Sequence, residues 1–153
     1  MTAAAATRPV YEQPKDLMNE GTVIEHVCAM WKWQAVKLKK FSPVDFALTD
    51  RDRIRGWAEI KCRTNESTRY PTYSVSLHKV MAGVHQANFT GLPYYVVIGF
   101  TDGVWYINAG RYVGYHDRLD VRIGGRTDRN DPMDIEPMVH IPVKLLRRVE
   151  ARG

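Results

Sequence analysis

Asp45, Glu59 and Lys61 are the residues best suited by type and spacing to do chemistry in this chain. They fall in two short segments, Pro43-Val44-Asp45-Phe46-Ala47-Leu48 and Trp57-Ala58-Glu59-Ile60-Lys61-Cys62, in which polar residues are set among apolar ones. Successive side chains of a strand point to opposite faces. Val44, Phe46 and Leu48 therefore share one face and Asp45 takes the other. Ala58, Ile60 and Cys62 share a face, and Glu59 and Lys61 the opposite one. The polar stretch 49–56 between them predicts a hairpin loop. If the strands pair, the two carboxylates and the ammonium project from one sheet face, a set that suits a divalent cation and a polarised water. The competing reading is a cross-strand ion pair on a solvated face, worth under ~1 kcal/mol. An apolar strand makes an unpartnered carboxylate expensive, which favours the chemical reading.

The elements that must position these residues are legible as periodicities. Residues 15–33 predict a helix, with Asp16 as its cap and Leu17, Ile24, Val27, Cys28 and Trp31 near one stripe; Gly21 weakens its first turn and moves the start toward Thr22. Val36 and Leu38 alternate with Lys37 and Lys39 as a short strand. Residues 63–72 predict an exposed loop. A second helix is predicted over 73–89 from Leu77, Val80, Met81, Val84 and Ala87, with Ser74 and Ser76 as residues that cap it or touch a ligand. Tyr94 to Phe100 is a dense β-type run and predicts a buried central strand, returned by Val104 to Ile107 after a Thr101-Asp102-Gly103 turn. Residues 111–137 are rich in Arg, Asp and Gly and predict an irregular insertion; a short strand over 138–143 and a closing helix over 144–149 follow. The expected fold class is α/β (α+β), a central mixed β-sheet flanked by helices. Residues 1–14 are expected to form a flexible tail and 15–153 a single domain.

With Pro43-Val44-Asp45, a gap of thirteen residues and Glu59-Ile60-Lys61, the chain resembles the PD-(D/E)XK nuclease superfamily, the restriction-endonuclease-like fold. Val44 interrupts the usual Pro-Asp pair. Gly21-Thr22-Val23-Ile24-Glu25 resembles the G-x-x-x-E start of the first helix in resolvase-like members, and Lys79 falls where many members carry an extra Lys or Gln. The resemblance covers about residues 15–108. It implies a DNA endonuclease, junction-resolving or phage-type, using Mg²⁺ or Mn²⁺. Asp45, Glu59 and the Ile60 carbonyl would hold the metal, Glu25 would complete the site with Glu20 as its competitor on the same helix, and Lys61 would position the attacking water. Lys79 would contact a phosphate. Arg63, Lys39, Lys40 and Arg53, from three basic clusters, would grip the DNA backbone. Small members of this superfamily commonly act as homodimers.

Composition narrows the alternatives. The 153 residues carry a formal charge of +5, and the pI is about 9.3, which favours an anionic partner. Two cysteines, Cys28 and Cys62, make no disulfide framework and suit buried thiols in a reducing, cytoplasmic setting. No apolar run is long enough to span a membrane, and the alanine-rich start lacks a secretory leader's pattern. No phosphate-binding GxxxxGK[ST] loop is present, so no nucleotide cofactor is expected. His78 and His85 are seven residues apart, not the four of a helical zinc pair. Trp31, Trp33 and Trp57 are expected mainly in the core. The other readings are a non-catalytic DNA-binding or assembly protein on the same fold, and an unrelated metal-dependent hydrolase of small phosphoesters.

Overall fold

The computed structural model describes residues 19–115, 118–125, 131–132 and 135–152. Helix α1 (Glu20–Trp31) is followed by β1 (Gln34–Lys37), β2 (Phe46–Asp50), β3 (Arg53–Cys62) and β4 (Thr72–Ser76), then α2 (Leu77–Thr90), β5 (Tyr94–Phe100), β6 (Gly103–Asn108), α3 (Ala109–Tyr115), β7 (Val121–Gly125), β8 (Ile135–Pro142) and β9 (Arg147–Arg148). Six strands form one sheet in the order β1-β2-β3-β5-β6-β9, and β4-β8-β7 form a second. Only β3 and β5 pair in parallel in the larger sheet; its other pairings are antiparallel. This is the mixed sheet that the strand and helix periodicities imply.

Strand β3 has apolar neighbours on both faces, and the two faces have different covers. Ala58 and Ile60 pack with Val97 under Val23, Val27 and Trp31 of α1. On the other face, Val96 and Ile98 of β5 pack with Val80 and Ala87 of α2 and with Val139 and Ile141 of the second sheet. Gly83 brings α2 close to the larger sheet: a Cβ there would stand 2.1 Å from the ring of the fully buried Tyr94. The far end of α2 is tied to β3, since Trp57 Nε1 donates to Thr90 Oγ1 (3.0 Å) and Trp57 N to the Pro93 carbonyl (2.9 Å).

Several elements differ from expectation. The predicted loop over 49–56 is a two-residue turn, Arg51-Asp52, with Arg51 at φ 61; β2 and β3 continue into it, and a register shift at Leu48/Thr49 takes up the odd residue. Helix α1 starts at Glu20, capped by Asn19, whose side chain accepts from Thr22 N; Asp16 lies outside the described residues. Residues 73–76 belong to β4, not to a helix. Tyr73 and Val75 are buried in alternation and pair with β8, and Ser76 then caps α2 by accepting from Lys79 N. The described part of 111–137 is not irregular: it includes the end of α3, strand β7 and the start of β8, although Asp117, Arg126, Asp128, Arg129 and Asp134 lie outside the described residues, as does the expected tail. The expected closing helix is a 3₁₀ turn (Val143–Leu145) followed by β9, because Leu146 and Val149 turn inward as the chain pairs with β6.

The last residues complete α1. Arg152 N donates to the Met30 carbonyl (3.0 Å) and Arg152 Nη1 to the Trp31 carbonyl (3.2 Å), satisfying carbonyls that a helix end leaves unpaired. Among the described residues no helix is long and apolar enough to cross a membrane.

Candidate active site

The β2–β3 register sets the site. Phe46 lies opposite Ala58, so one step outward Asp45, which immediately precedes β2, comes beside Glu59. The Leu38 N–H donates to the Asp45 carbonyl (2.9 Å) and holds this approach in place. Glu59 is 1% exposed. Among the described residues neither of its side-chain oxygens has a hydrogen-bond partner. Two ammonium groups stand close to it. Lys61 Nζ is 3.3 Å from Glu59 Oε2, and Lys79 Nζ, reaching down from the first turn of α2, is 3.6 Å from the same oxygen and 3.8 Å from Asp45 Oδ1.

Burial is the main influence on this carboxyl group. It pushes Glu59 above the ordinary carboxylate range, and the charge of Asp45 pushes the same way, while Lys61 and Lys79 oppose both. The net direction is upward, so the two lysines do not fully compensate the buried charge. A divalent cation between Asp45 and Glu59 would do so, and hard oxygen donors suit Mg²⁺ or Mn²⁺. No group of three or more His, Cys, Asp or Glu placed to hold a metal occurs among the described residues, so Asp45 and Glu59 stand as a pair of carboxylates.

The structure thus brings Asp45, Glu59, Lys61 and Lys79 together and carries Ile60 between two of them. Arg63 lies two residues beyond Lys61 on the same alternation, half-buried, its guanidinium 4.7 Å from the Tyr73 ring centroid. Lys39 and Lys40 are exposed in the β1–β2 connection that leads to Asp45. Arg53 is elsewhere: it opens β3 at the tight turn, six residues and ~20 Å of strand from Glu59.

Glu25 is also not brought to the pair. At ~100° per residue, the buried stripe of Val23, Val27 and Trp31 leaves Glu25 on the opposite side of α1, and it is exposed. Glu20 lies on the stripe side, where its carboxylate binds Lys37 Nζ at 2.6 Å. Lys37, a member of the basic cluster over 32–40, sits opposite Phe46 with its ammonium 4.8 Å from that ring's centroid. Its hydrogen bond to Glu20 raises its pKa, with smaller contributions from Asp45 and Glu59. The alternation of Lys37 with Val36 and Leu38 marks it as outward-facing, but the partner strand that brings it to Asp45 cannot be read from that alternation.

Comparison with known proteins gives a family and a fold. A family model described as "Phage putative PDDEXK endonuclease" matches residues 6–149. Among solved structures, Hjc of Archaeoglobus fulgidus, a Holliday junction resolvase from an archaeal hyperthermophile, superposes with a TM-score of 0.51 at 17% identity, covering 86% of this chain and 93% of that one. At that identity the likeness is one of fold. No curated protein matches the chain.

Proposed function

The chain belongs to the phage PDDEXK endonuclease family, and on that footing we propose that it hydrolyses DNA phosphodiester bonds in a reaction that depends on Mg²⁺ or Mn²⁺. The observation that carries this is the Glu59 carboxylate, buried without a hydrogen-bond partner among the described residues, beside Asp45 and under two ammonium groups. An arrangement that leaves a buried charge under-compensated is a poor structural device and a good cation site.

In this reading Asp45, Glu59 and the Ile60 carbonyl hold the metal. When bound, the metal supplies Lewis-acid polarisation of the phosphate and lowers the pKa of a water. Lys61, fixed by its 3.3 Å contact with Glu59, orients the attacking water and offsets charge growing on the phosphate. Lys79 supplies a second positive charge from above. Arg63, Lys39 and Lys40 grip phosphates on either side. Among the described residues no third carboxylate joins the pair; Glu20 is held instead by Lys37 at 2.6 Å. The products are a 5′-phosphate and a 3′-hydroxyl. The enzyme acts as a homodimer in which each subunit cuts one strand, within a reducing cell interior that suits its two free cysteines.

The test is cleavage of supercoiled plasmid and of a synthetic four-way junction with Mg²⁺, Mn²⁺ or EDTA. Metal-dependent cutting that is lost in Glu59→Ala and Asp45→Asn is the expected result, and preference for the junction would identify a resolvase. If Asp45→Asn cuts at the wild-type rate, the site assignment is wrong.

A further inference from the structure

A cleft shares no residue with the carboxylate cluster. It has a volume of about 690 Å³ and opens at the β6 side of the larger sheet, between the end of α1, helix α3 and β9. Most of its lining is rings and guanidinium groups, with Ile107, Asn108 and Leu145 between them. Trp31 packs against Trp33, Tyr95 and Tyr106, with ring centroids 6.0, 5.1 and 4.9 Å away. Trp33, Tyr106 and Tyr115 face the cleft, as do Arg111, Arg147 and Arg152. None of the described lining residues is acidic. A second hollow of about 520 Å³ shares Trp31, Tyr106, Arg147 and Arg152 with it and adds Arg148 and Glu150, so even there cations outnumber carboxylates.

The arginines already show how planar groups seat on these rings. The Arg152 guanidinium lies 4.4 Å from the Trp33 centroid and is fixed by its bond to the Trp31 carbonyl, and that of Arg111 lies 5.6 Å from Tyr115. Tyr115 is 74% exposed, a ring face presented to solvent. Flat π-faces beside cations in a cleft of ligand-sized volume match the requirements of unpaired bases on a phosphate backbone. A second copy of the chain fits less well. A two-fold contact would bring two patches of the same positive sign together.

We propose that this cleft binds single-stranded DNA, stacking bases on Trp33, Tyr106 and Tyr115 and holding phosphates with Arg111, Arg147 and Arg152. Because the stacking partners read no base edges, binding is tolerant of sequence. The carboxylate site cuts the strand, and this cleft, on the α1 side of the sheet, retains an unpaired portion of it. The choice of DNA as the strand rests on the proposed nuclease activity; the stacking chemistry does not.

The test is fluorescence anisotropy in EDTA, where cutting does not intervene, with the full chain and three labelled oligomers of equal length: oligothymidylate, oligouridylate and an abasic deoxyribose-phosphate chain. Oligothymidylate should bind at least ~5-fold more tightly than the abasic chain. Tyr115→Ala should weaken oligothymidylate binding by about 5- to 100-fold and leave abasic binding unchanged. Arg147→Glu should weaken both. Both positions are exposed, so neither variant threatens the fold. Equal affinity for thymidylate and abasic chains, or no effect of Tyr115→Ala, overturns the proposal. Tighter binding of oligouridylate overturns the assignment to DNA. A wild-type dimer that Tyr115→Ala dissociates in sedimentation would make the cleft a self-association face instead. Because the readout is binding without metal, failure of the nuclease reading would leave these measurements interpretable.

Discussion

Replacing Glu59 with glutamine should make the metal-free protein more stable while removing its response to metal. The carboxylate is fully buried and without a hydrogen-bond partner among the described residues. Burying an ion this way costs several kcal/mol after relaxation. The compensation comes from Lys61 and Lys79, whose side chains are 35% and 43% exposed, and pairs with such solvent-screened partners return at most ~1 kcal/mol each. The balance is a cost of about 1–3 kcal/mol that glutamine, of the same shape and uncharged, removes, and Asp45 still pairs with Lys79. For a chain of this size that corresponds to a Tm rise of about 3–9 °C in EDTA. The wild type should recover the difference on adding Mg²⁺: at a hundred times Kd, binding to the folded state alone contributes ~2.7 kcal/mol. Glu59→Gln should gain less than about a quarter of that. Thermal melts of both proteins with EDTA and with a Mg²⁺ series decide the matter. If metal-free Glu59→Gln melts below the wild type, the lysine pairs outweigh the desolvation, the cluster is a structural ion network, and the reasoning that makes it a cation site fails.

Three further outcomes are expected. In single-turnover cleavage Lys61→Ala should lose about 10²–10³-fold in rate, as removal of a preorganised charge-stabilising donor does; Lys79→Ala, which removes the longer of the two contacts, should lose less, and the reverse order would exchange their roles. Asp102 accepts from Ser67 N (2.9 Å) and Oγ (2.7 Å); burial pushes its pKa up, but the Ser67 bonds and then Arg148 outweigh this and leave it below the ordinary 3.8. A depressed carboxyl stabilises the fold above its unfolded pKa and loses that contribution as pH falls through the folded one, so the melting gap between wild type and Asp102→Asn should be constant from about pH 7 to 5 and close below about 4; a gap that widens in acid refutes the linkage. Thr90→Val strips the acceptor from the buried Trp57 indole and should cost about 1–3 kcal/mol in denaturant unfolding; no loss would mean that Nε1 finds another partner.

Part of the candidate site was legible because the period of two of a strand survives in sequence. Glu59 and Lys61 alternate in β3 as expected, but Asp45 precedes β2, and Val44 packs with Ala47 on the α2 face instead of with Phe46 and Leu48, so the β2–β3 register, not a continuous alternation, brings Asp45 beside Glu59. Residues 73–76 misled because Tyr-Ser-Val-Ser continues directly into the helical pattern; only β8, sixty-odd residues later, makes it a strand. The region after residue 111 misled for a related reason. Strand β7 lies at the edge of its sheet, mostly exposed, so it carries the polar composition of a loop. The choice between Glu25 and Glu20 turned on helix phase, and Glu25 lies exposed on the side of α1 away from the sheet. A G-x-x-x-E spacing says nothing about which side of α1 meets the sheet; that is decided by Val23, Val27 and Trp31 packing as a stripe. The aromatic–arginine cleft was invisible because its walls come from four separated parts of the chain.

Gly83 also sets where Lys79 stands. It is one turn beyond Lys79 on α2, about 6 Å along the axis. The height at which the Lys79 ammonium hangs over the carboxylates is therefore fixed by how closely a glycine backbone can lie on the Tyr94 ring. Alanine in place of a helical glycine ordinarily gains ~1 kcal/mol. Here the same change would strike the fully buried Tyr94 ring and lift a helix whose first turn carries the Lys79 ammonium. A substitution chosen to toughen the protein would instead shift the Lys79 ammonium relative to Asp45 and Glu59 from inside the apolar core, without altering any residue of that cluster.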